Sequence, residues 1–124
     1  MSEKKIIFIV DDNSVNLLAA KQALTDGGYR ALTLKSAESM FELFVKIMPD
    51  LILLDIEMPE MDGFTALKKL KENERTANIP VVFLSASVNA ETEAKGTELG
   101  AVGFLLKPFS PSALLSNITG QLQP

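Results

Sequence analysis

The chain has 124 residues, a formal net charge of −4 and a hydrophobic fraction of 47%, which suits one folded domain over residues 1–124. It contains no cysteine and no histidine, which excludes disulfides, thiolate chemistry, the usual zinc sites and the commonest general base. The acidic balance argues against a nucleic-acid surface, and no apolar run approaches the ~20 residues of a membrane span. We therefore expect a cytoplasmic protein whose chemistry depends on carboxylates, hydroxyls and lysine.

Short apolar runs that contain β-branched or aromatic residues recur along the chain. Their continuous apolar character is typical of strands buried on both faces of a parallel sheet. The four runs are Ile6–Val10, Leu51–Leu54, Val81–Leu84 and Val102–Leu106. A weaker run, Arg30–Leu34, alternates in polarity and suits an outer strand. The sequence therefore predicts a sheet of five strands.

Segments with helical spacing separate these runs. Gly27 is a predicted stop for the first helix, and Pro49 a predicted terminator for the second. Ser36 is a predicted N-cap, and so is Ser110, which precedes a proline at the first helical position. The apolar patterns of these helices cover Leu17–Leu24, Met40–Ile47, Phe64–Leu70 and Leu114–Leu122.

The segment Val88–Leu99 is different because it is rich in polar residues. Its apolar surface is limited to Ala90, Ala94 and Leu99, so a helix here is expected to pack loosely. With this fifth helix, strands and helices alternate, which predicts an α/β fold: a doubly wound parallel sheet with helices on both faces. Such sheets bind ligands beyond the carboxyl ends of their strands.

Polar residues stand at those strand ends. Asp11 and Asp12 follow the first strand, and Asp55 ends the third. Ser85 follows the fourth strand, and Lys107 follows the fifth. Two carboxylates about 5 Å apart repel each other by roughly 3 kcal/mol at an effective dielectric of 20. A divalent cation would offset this repulsion, and clustered hard oxygens favour Mg²⁺ or Mn²⁺.

A cation with open coordination positions would attract a phosphate group. Lys107 can then hold one phosphoryl oxygen, and the Ser85 hydroxyl can donate a hydrogen bond to another. If the chemistry is covalent, Asp55 is the best acceptor because it stands alone on a central strand. Simpler roles stay open at this point, since Asp11, Asp12 and Asn13 could cap the first helix and Ser85 could begin another.

Four motifs in this order make the chain resemble a response-regulator receiver domain, the phosphoacceptor module of two-component signalling. They are Asp11-Asp12-Asn13, Asp55–Gly63, Leu84-Ser85-Ala86 and Gly103–Phe109. The resemblance covers essentially the whole chain, and the combination is specific although each motif alone is weak. It implies the flavodoxin-like strand order 2-1-3-4-5 with five helices.

The resemblance also implies an acceptor and a metal site. Asp55 would accept a phosphoryl group from a phosphohistidine on a partner. Mg²⁺ or Mn²⁺ would be bound by the side chains of Asp12 and Asp55. Asp11 would reach the metal through a water molecule, and Glu57 would contribute its backbone carbonyl.

Further roles follow from the same resemblance. Ser85, the backbone N–H of Ala86 and Lys107 would bind the phosphoryl oxygens. Phe104 falls at the switch aromatic, which turns inward as the Ser85 hydroxyl moves toward the phosphate. A phenylalanine can do this by packing, without the hydrogen bond of a tyrosine. The bond between Lys107 and Pro108 is expected to be cis.

The function implied is a phosphorylation-dependent switch in a two-component phosphorelay, which catalyses its own phosphorylation and dephosphorylation only. The expected partners are a sensor histidine kinase or phosphotransfer protein, and an output domain or downstream protein. Direct contact with nucleic acid or membrane is not expected, and the family permits a homodimer through the last two helices. The chain is either a stand-alone receiver or a fragment of a larger protein.

Two other functions remain alternatives. One is a Mg²⁺-dependent phosphatase or phosphotransferase with an aspartyl nucleophile, as in haloacid-dehalogenase enzymes. The other is a receiver-like binding module that is not phosphorylated. We also hypothesise that the polar face of Val88–Leu99 is a mobile surface that a partner recognises.

Overall fold

Five parallel strands alternate with five helices in the computed structural model, which describes residues 4–122. The strands are β1 (Ile6–Val10), β2 (Arg30–Leu34), β3 (Leu51–Asp55), β4 (Val81–Ser85) and β5 (Gly103–Leu106). The helices are α1 (Ser14–Asp26), α2 (Ala37–Leu43), α3 (Gly63–Glu72), α4 (Ala90–Leu99) and α5 (Pro111–Leu122). The prediction of one domain over 1–124 includes residues 1–3 and 123–124, which lie outside the described residues.

The strand order in the sheet is β2-β1-β3-β4-β5, and all neighbouring pairs are parallel. This order confirms the doubly wound, flavodoxin-like fold. In the register of the sheet, Asp55 is opposite Leu84, and Ser85 is opposite Leu106. The polar residues that end β3 and β4 therefore lie at the same edge, where β1 and β5 also end.

The core has two layers because both faces of the sheet are covered by helices. Ile7 and Ile9 belong to the layer that contains α1 and α5. Phe8 and Val10 belong to the other layer, which contains α2, α3 and the end of α4. Every residue of β3 and β4 is buried, as the continuous apolar runs predicted.

The helix starts agree with the predicted caps, but one helix end does not. Ser36 accepts a hydrogen bond from the Ser39 N–H at 3.1 Å, and Ser110 similarly caps α5. The second apolar pattern was predicted to extend to Ile47, yet α2 ends at Leu43 and turns follow. Phe44 and Ile47 still pack into the core from these turns, so their burial does not require a helix. Within residues 4–122, no helix has the length and apolar composition needed to cross a membrane.

Helix α4 differs from its predicted inner face. Ala90 and Ala94 are exposed, whereas Gly96 is buried and Leu99 is half-buried. Gly100 ends the helix with φ 109°, a left-handed conformation that glycine adopts without strain. Of the predicted apolar residues only Leu99 packs against the core, and the buried Gly96 was not predicted.

Candidate functional site

Three carboxylates converge at the carboxyl edge of the sheet. Oxygen atoms of Asp11, Asp12 and Asp55 all lie within 4.8 Å of one another. Asp11 and Asp55 are only 0% and 1% exposed, respectively, whereas Asp12 is exposed. Carboxylates at this separation repel by about 3 kcal/mol per pair at an effective dielectric of 20. The cluster thus consists of the buried carboxylates of Asp11 and Asp55 and the solvent-exposed carboxylate of Asp12.

Lys107 supplies the positive charge of this cluster. Its Nζ lies 3.2 Å from Asp11 Oδ2 and 3.1 Å from Asp55 Oδ1. Its backbone N–H donates to the Ser85 carbonyl at 2.8 Å, and the bond between Lys107 and Pro108 is cis. Three carboxylates and one ammonium leave a formal charge of −2 at this edge.

Hydrogen bonds from the start of α1 orient the first carboxylate. The Asn13 N–H donates to Asp11 Oδ1 at 2.9 Å, and the Asn16 amide donates to Asp11 Oδ2 at 3.3 Å. Asn13 is also the N-cap of α1, since its Oδ1 accepts from the Asn16 N–H at 3.0 Å. The capping role therefore belongs to Asn13, which leaves the two aspartates for the site. Sequence reasoning missed Asn16, because only the first turn of α1 returns it to Asp11.

Burial and charge change the protonation of the central pair. Burial raises the pKa of Asp55 to about 7, assisted by the charge of Asp11 and opposed by the hydrogen bond from Lys107. For Lys107, burial lowers the pKa, but hydrogen bonds and attraction from Asp55 and Asp11 outweigh it and raise the pKa above its usual value. At neutral pH the ammonium group is therefore charged, while Asp55 is partly protonated when no cation is bound.

The hydroxyl of Ser85 is engaged by neighbouring groups. Its Oγ lies 2.8 Å from the Ser87 carbonyl and 3.1 Å from Glu57 Oε2, and it accepts from the Ser87 N–H at 3.2 Å. A hydroxyl has one proton to donate, so the carbonyl and the carboxylate compete for it. Glu57 and Ser87 thus flank the site, and the Glu57 carboxylate lies beside the Ser85 hydroxyl. Ala86, whose N–H was predicted to bind a phosphoryl oxygen, follows directly and is exposed.

The backbone beneath Asp55 is packed against the start of α3. A Cβ added to Gly63 would lie 2.5 Å from the Asp55 carbonyl oxygen and 2.8 Å from Ile56 Cα. Both atoms belong to the backbone and cannot move aside easily. The close approach of these two backbone segments therefore requires glycine at position 63. Asp62 adds the helix cap, since its Oδ1 accepts from the Thr65 N–H at 2.8 Å.

Phe104 lies on β5 opposite Phe83, and its ring centroid is 5.8 Å from that of Phe83. It packs in the layer that contains α3, against the core.

The structure brings Asp11, Asp12, Asp55 and Lys107 together in one cluster, with Ser85 beside it. A groove of about 830 Å³ lies elsewhere, between α2 and the end of α3.

The donor set of the cluster fits a hard divalent cation. Three carboxylate oxygens within 4.8 Å of one another match the oxygen ligands that Mg²⁺ and Mn²⁺ prefer. The chain has no cysteine or histidine that would favour a softer metal. Asp11, Asp12 and Asp55 would hold the ion, and the Glu57 carbonyl follows Asp55 closely in the chain.

Comparisons with known proteins agree with this geometry. The family model of the response regulator receiver domain matches residues 7–119. A probable cyclic di-GMP phosphodiesterase of Vibrio cholerae serotype O1 is 40% identical over 117 residues, covering 94% of this chain and 26% of that protein. The phosphate regulon transcriptional regulatory protein PhoB of Pseudomonas aeruginosa is 34% identical over 119 residues, covering 96% of this chain and 52% of PhoB. The chain thus spans from about a quarter to about half the length of these relatives.

Among solved structures, the chemotaxis protein CheY4 of Vibrio cholerae superposes with a TM-score of 0.92 at 28% identity. The alignment covers 97% of this chain and 100% of that chain. CheY4 has the length of this domain, whereas the two curated relatives are longer. The same domain thus occurs in proteins of different overall length.

Proposed function

The chain belongs to the response regulator receiver domain family, and from this premise we propose that Asp55 accepts a phosphoryl group from a phosphohistidine on a partner. A receiver domain is a phosphoacceptor switch of two-component signalling, and the predicted membership is confirmed. The choice of Asp55 rests on one observation above all. It is the buried carboxylate at the end of a central strand that contacts Lys107, at 3.1 Å.

The proposed reaction is a phosphoryl transfer between two residues. An oxygen of the Asp55 carboxylate attacks phosphorus, the phosphorus–nitrogen bond of the phosphohistidine breaks, and the imidazole leaves with the bonding electron pair. In this reaction Lys107 pairs with one phosphoryl oxygen, and the Ser85 hydroxyl and the Ala86 N–H donate to others. The chain contains no histidine, so the donor lies outside these 124 residues.

The carboxylate form of Asp55 is the nucleophile, and burial works against that form. Lys107 counters this effect by donating a hydrogen bond to Asp55 Oδ1. Bound Mg²⁺ or Mn²⁺ would supply charge neutralisation for the clustered carboxylates and the phosphoryl oxygens. Asp11 and Asp12, together with Asp55 and the Glu57 carbonyl, are the proposed ligands.

The proposed consequence is a change at Ser85 and Phe104. The Ser85 hydroxyl leaves the Ser87 carbonyl and Glu57 to donate to the phosphoryl group, and Phe104 moves inward. We propose that the domain over 1–124 promotes its own phosphorylation and dephosphorylation and no other reaction. It acts in the cytoplasm on an output domain or downstream protein, either alone or as part of a longer chain. A net charge of −4 supports the absence of direct contact with nucleic acid.

Intact-protein mass spectrometry after incubation with Mg²⁺ and acetyl phosphate tests the assignment. We expect the mass of one acid-labile phosphoryl group on the unaltered chain and none on Asp55→Asn. Asp62→Asn is the matched control, because asparagine caps α3 as well as aspartate does and should leave labelling unchanged. Labelling is also expected to require Mg²⁺ or Mn²⁺, which EDTA would remove.

Other results would favour the alternatives. Continuous release of phosphate from phosphomonoesters would indicate a phosphatase with an aspartyl nucleophile. Neither labelling nor turnover would indicate a receiver-like binding module. Equal labelling of Asp55→Asn would place the acceptor on another residue. A homodimer through α4 and α5, which the family permits, would appear as a doubled mass in light scattering after phosphorylation.

A further inference from the structure

The buried residue of helix α4 has no side chain. Gly96 is buried, whereas the other residues of α4 are exposed or half-buried. Glycine inside a helix is less favourable than alanine, because it loses more backbone freedom on folding. Its place at the contact between α4 and the sheet points to a requirement for space rather than to helix formation.

The ring of Phe104 takes up that space. A Cβ added to Gly96 would lie 2.5 Å from Cζ and 2.9 Å from Cε2 of Phe104. The same atom would lie 3.1 Å from Cδ2 of Phe83. Carbon atoms of neighbouring groups normally approach no closer than about 3.5 Å. The Phe104 ring therefore fills the volume that any side chain at position 96 would need.

Of the two rings, Phe104 is the less confined by its neighbours. Phe83 is fully buried, and the ring of Phe64 packs edge-on against it at 5.3 Å between centroids. Phe104 is half-buried on β5, the strand at the edge of the sheet. A side chain at position 96 would thus displace the far end of the Phe104 ring, not the backbone. Gly63 offers the opposite case, since a Cβ there would meet backbone atoms.

We propose that Gly96 is a positioning residue of the switch. Because Gly96 has no side chain, the Phe104 ring can pack directly against α4, and this contact couples the helix to the movement of the ring. The proposal rests on the function proposed for Asp55 and adds the element that passes the change from Phe104 to α4. With a side chain at position 96 the ring loses this position. Phe104 and α4 then no longer change together when Asp55 carries a phosphoryl group.

Thermal unfolding in a double-mutant cycle tests the steric part. Gly120 in α5 is the matched control, because a Cβ there would meet no other atom of residues 4–122 within 4 Å. Gly120→Ala is expected to raise Tm slightly, through helix propensity. Gly96→Ala is expected to lower Tm by about 5 °C relative to that control. In the Phe104→Leu background this difference is expected to disappear. An equal effect of Gly96→Ala in both backgrounds would overturn the proposal.

The coupling is tested with ¹³C-labelled phenylalanine rings and amide hydrogen exchange, before and after treatment with Mg²⁺ and acetyl phosphate. In the unaltered chain and in Gly120→Ala, the Phe104 signals and α4 exchange rates should change on phosphorylation. In Gly96→Ala we expect these changes to fall to half or less, while mass spectrometry still finds the phosphoryl group. A full response in Gly96→Ala would refute the coupling. If Gly96→Ala does not fold, failure of Gly96→Ala/Phe104→Leu to restore folding overturns the proposal, and restored folding supports it.

The two proposals fail in different ways. If Asp55 is not the acceptor, labelling is absent or unaffected by Asp55→Asn. The displacement of the Phe104 ring by Gly96→Ala would still be visible in the unphosphorylated protein. If Gly96 does not position the ring, labelling of Asp55 is normal, and the Phe104 signals of Gly96→Ala and the unaltered chain coincide.

Discussion

The acidic edge of the sheet and helix α4 are held in different ways. At the edge, Asp11 and Asp55 are buried and bonded to the same ammonium group of Lys107. In α4, most side chains are exposed, and the buried residue is Gly96. The chemical groups at the edge are thus buried and paired, while α4 buries little of its surface, which is typical of segments that open at small free-energy cost. A switch needs both, because phosphoryl transfer requires fixed geometry and a response requires a second conformation.

The largest expected effect is at Lys107. In Lys107→Met the buried carboxylates of Asp11 and Asp55 lose their counter-charge, and we expect the free energy of unfolding to fall by about 3 kcal/mol at pH 8. The loss should be smaller at pH 5, where Asp55 is protonated. Urea unfolding in EDTA measures it, with exposed Lys68→Met as the control. A loss below about 0.5 kcal/mol is what an exposed ion pair would give. It would show that the acidic edge is not held more firmly than α4.

An intermediate effect of opposite sign is expected for Asp55. Its pKa is about 7 in the folded chain and near 3.8 when unperturbed, so the unfolded chain releases the proton first as pH rises. The stability contribution of Asp55 is therefore complete below about pH 4 and is lost as pH rises through about 7. Asp55→Asn removes this cost, and we expect it to stabilise the metal-free protein by about 2 kcal/mol at pH 8.

The same urea series from pH 4 to pH 8 checks the sign. The difference between Asp55→Asn and the unaltered chain should grow with pH in EDTA and shrink when Mg²⁺ is added. A difference that stays constant with pH would show that Asp55 does not titrate in this range.

The smallest effect is expected in α4. Lys95 Nζ lies 4.5 Å from the centroid of the Phe64 ring, and the side chain is exposed. A cation–π contact of this kind contributes about 0.5 kcal/mol, so Lys95→Gln should lower the free energy of unfolding by that amount. Lys68→Gln is the control in α3. A loss as large as that of Lys107→Met would mean that α4 is held as firmly as the acidic edge.

Much of the site could be predicted because its residues sit at strand ends. Apolar runs are readable without the structure, and parallel strands bring their carboxyl ends to one edge, so Asp55 and Lys107 could be placed together. The exact partners could not be predicted in this way. The first turn of α1 brings the Asn16 amide to Asp11. Glu57, in the loop after β3, contacts Ser85 at the end of the neighbouring strand β4. Such contacts depend on side-chain direction, which local patterns do not encode.

The end of α2 shows the same limit. The apolar spacing up to Ile47 suggested helix, but burial of Phe44 and Ile47 was achieved from turns after Leu43. Spacing of three or four residues reports which side chains face the core, and a turn satisfies it as well as a helix does. Local patterns therefore determined burial here better than they determined the helix end.

The sequence by itself determined the strands, their polar ends, the chemistry that carboxylates and lysine allow, and the family. These depend on composition and short-range order, which are present in the chain before it folds. Only the tertiary structure decided why two glycines stand where they do. Gly63 must admit the backbone of Asp55, and Gly96 must admit the ring of Phe104. In both cases the constraint comes from atoms distant along the chain, and a glycine carries no side chain from which that neighbour could be inferred.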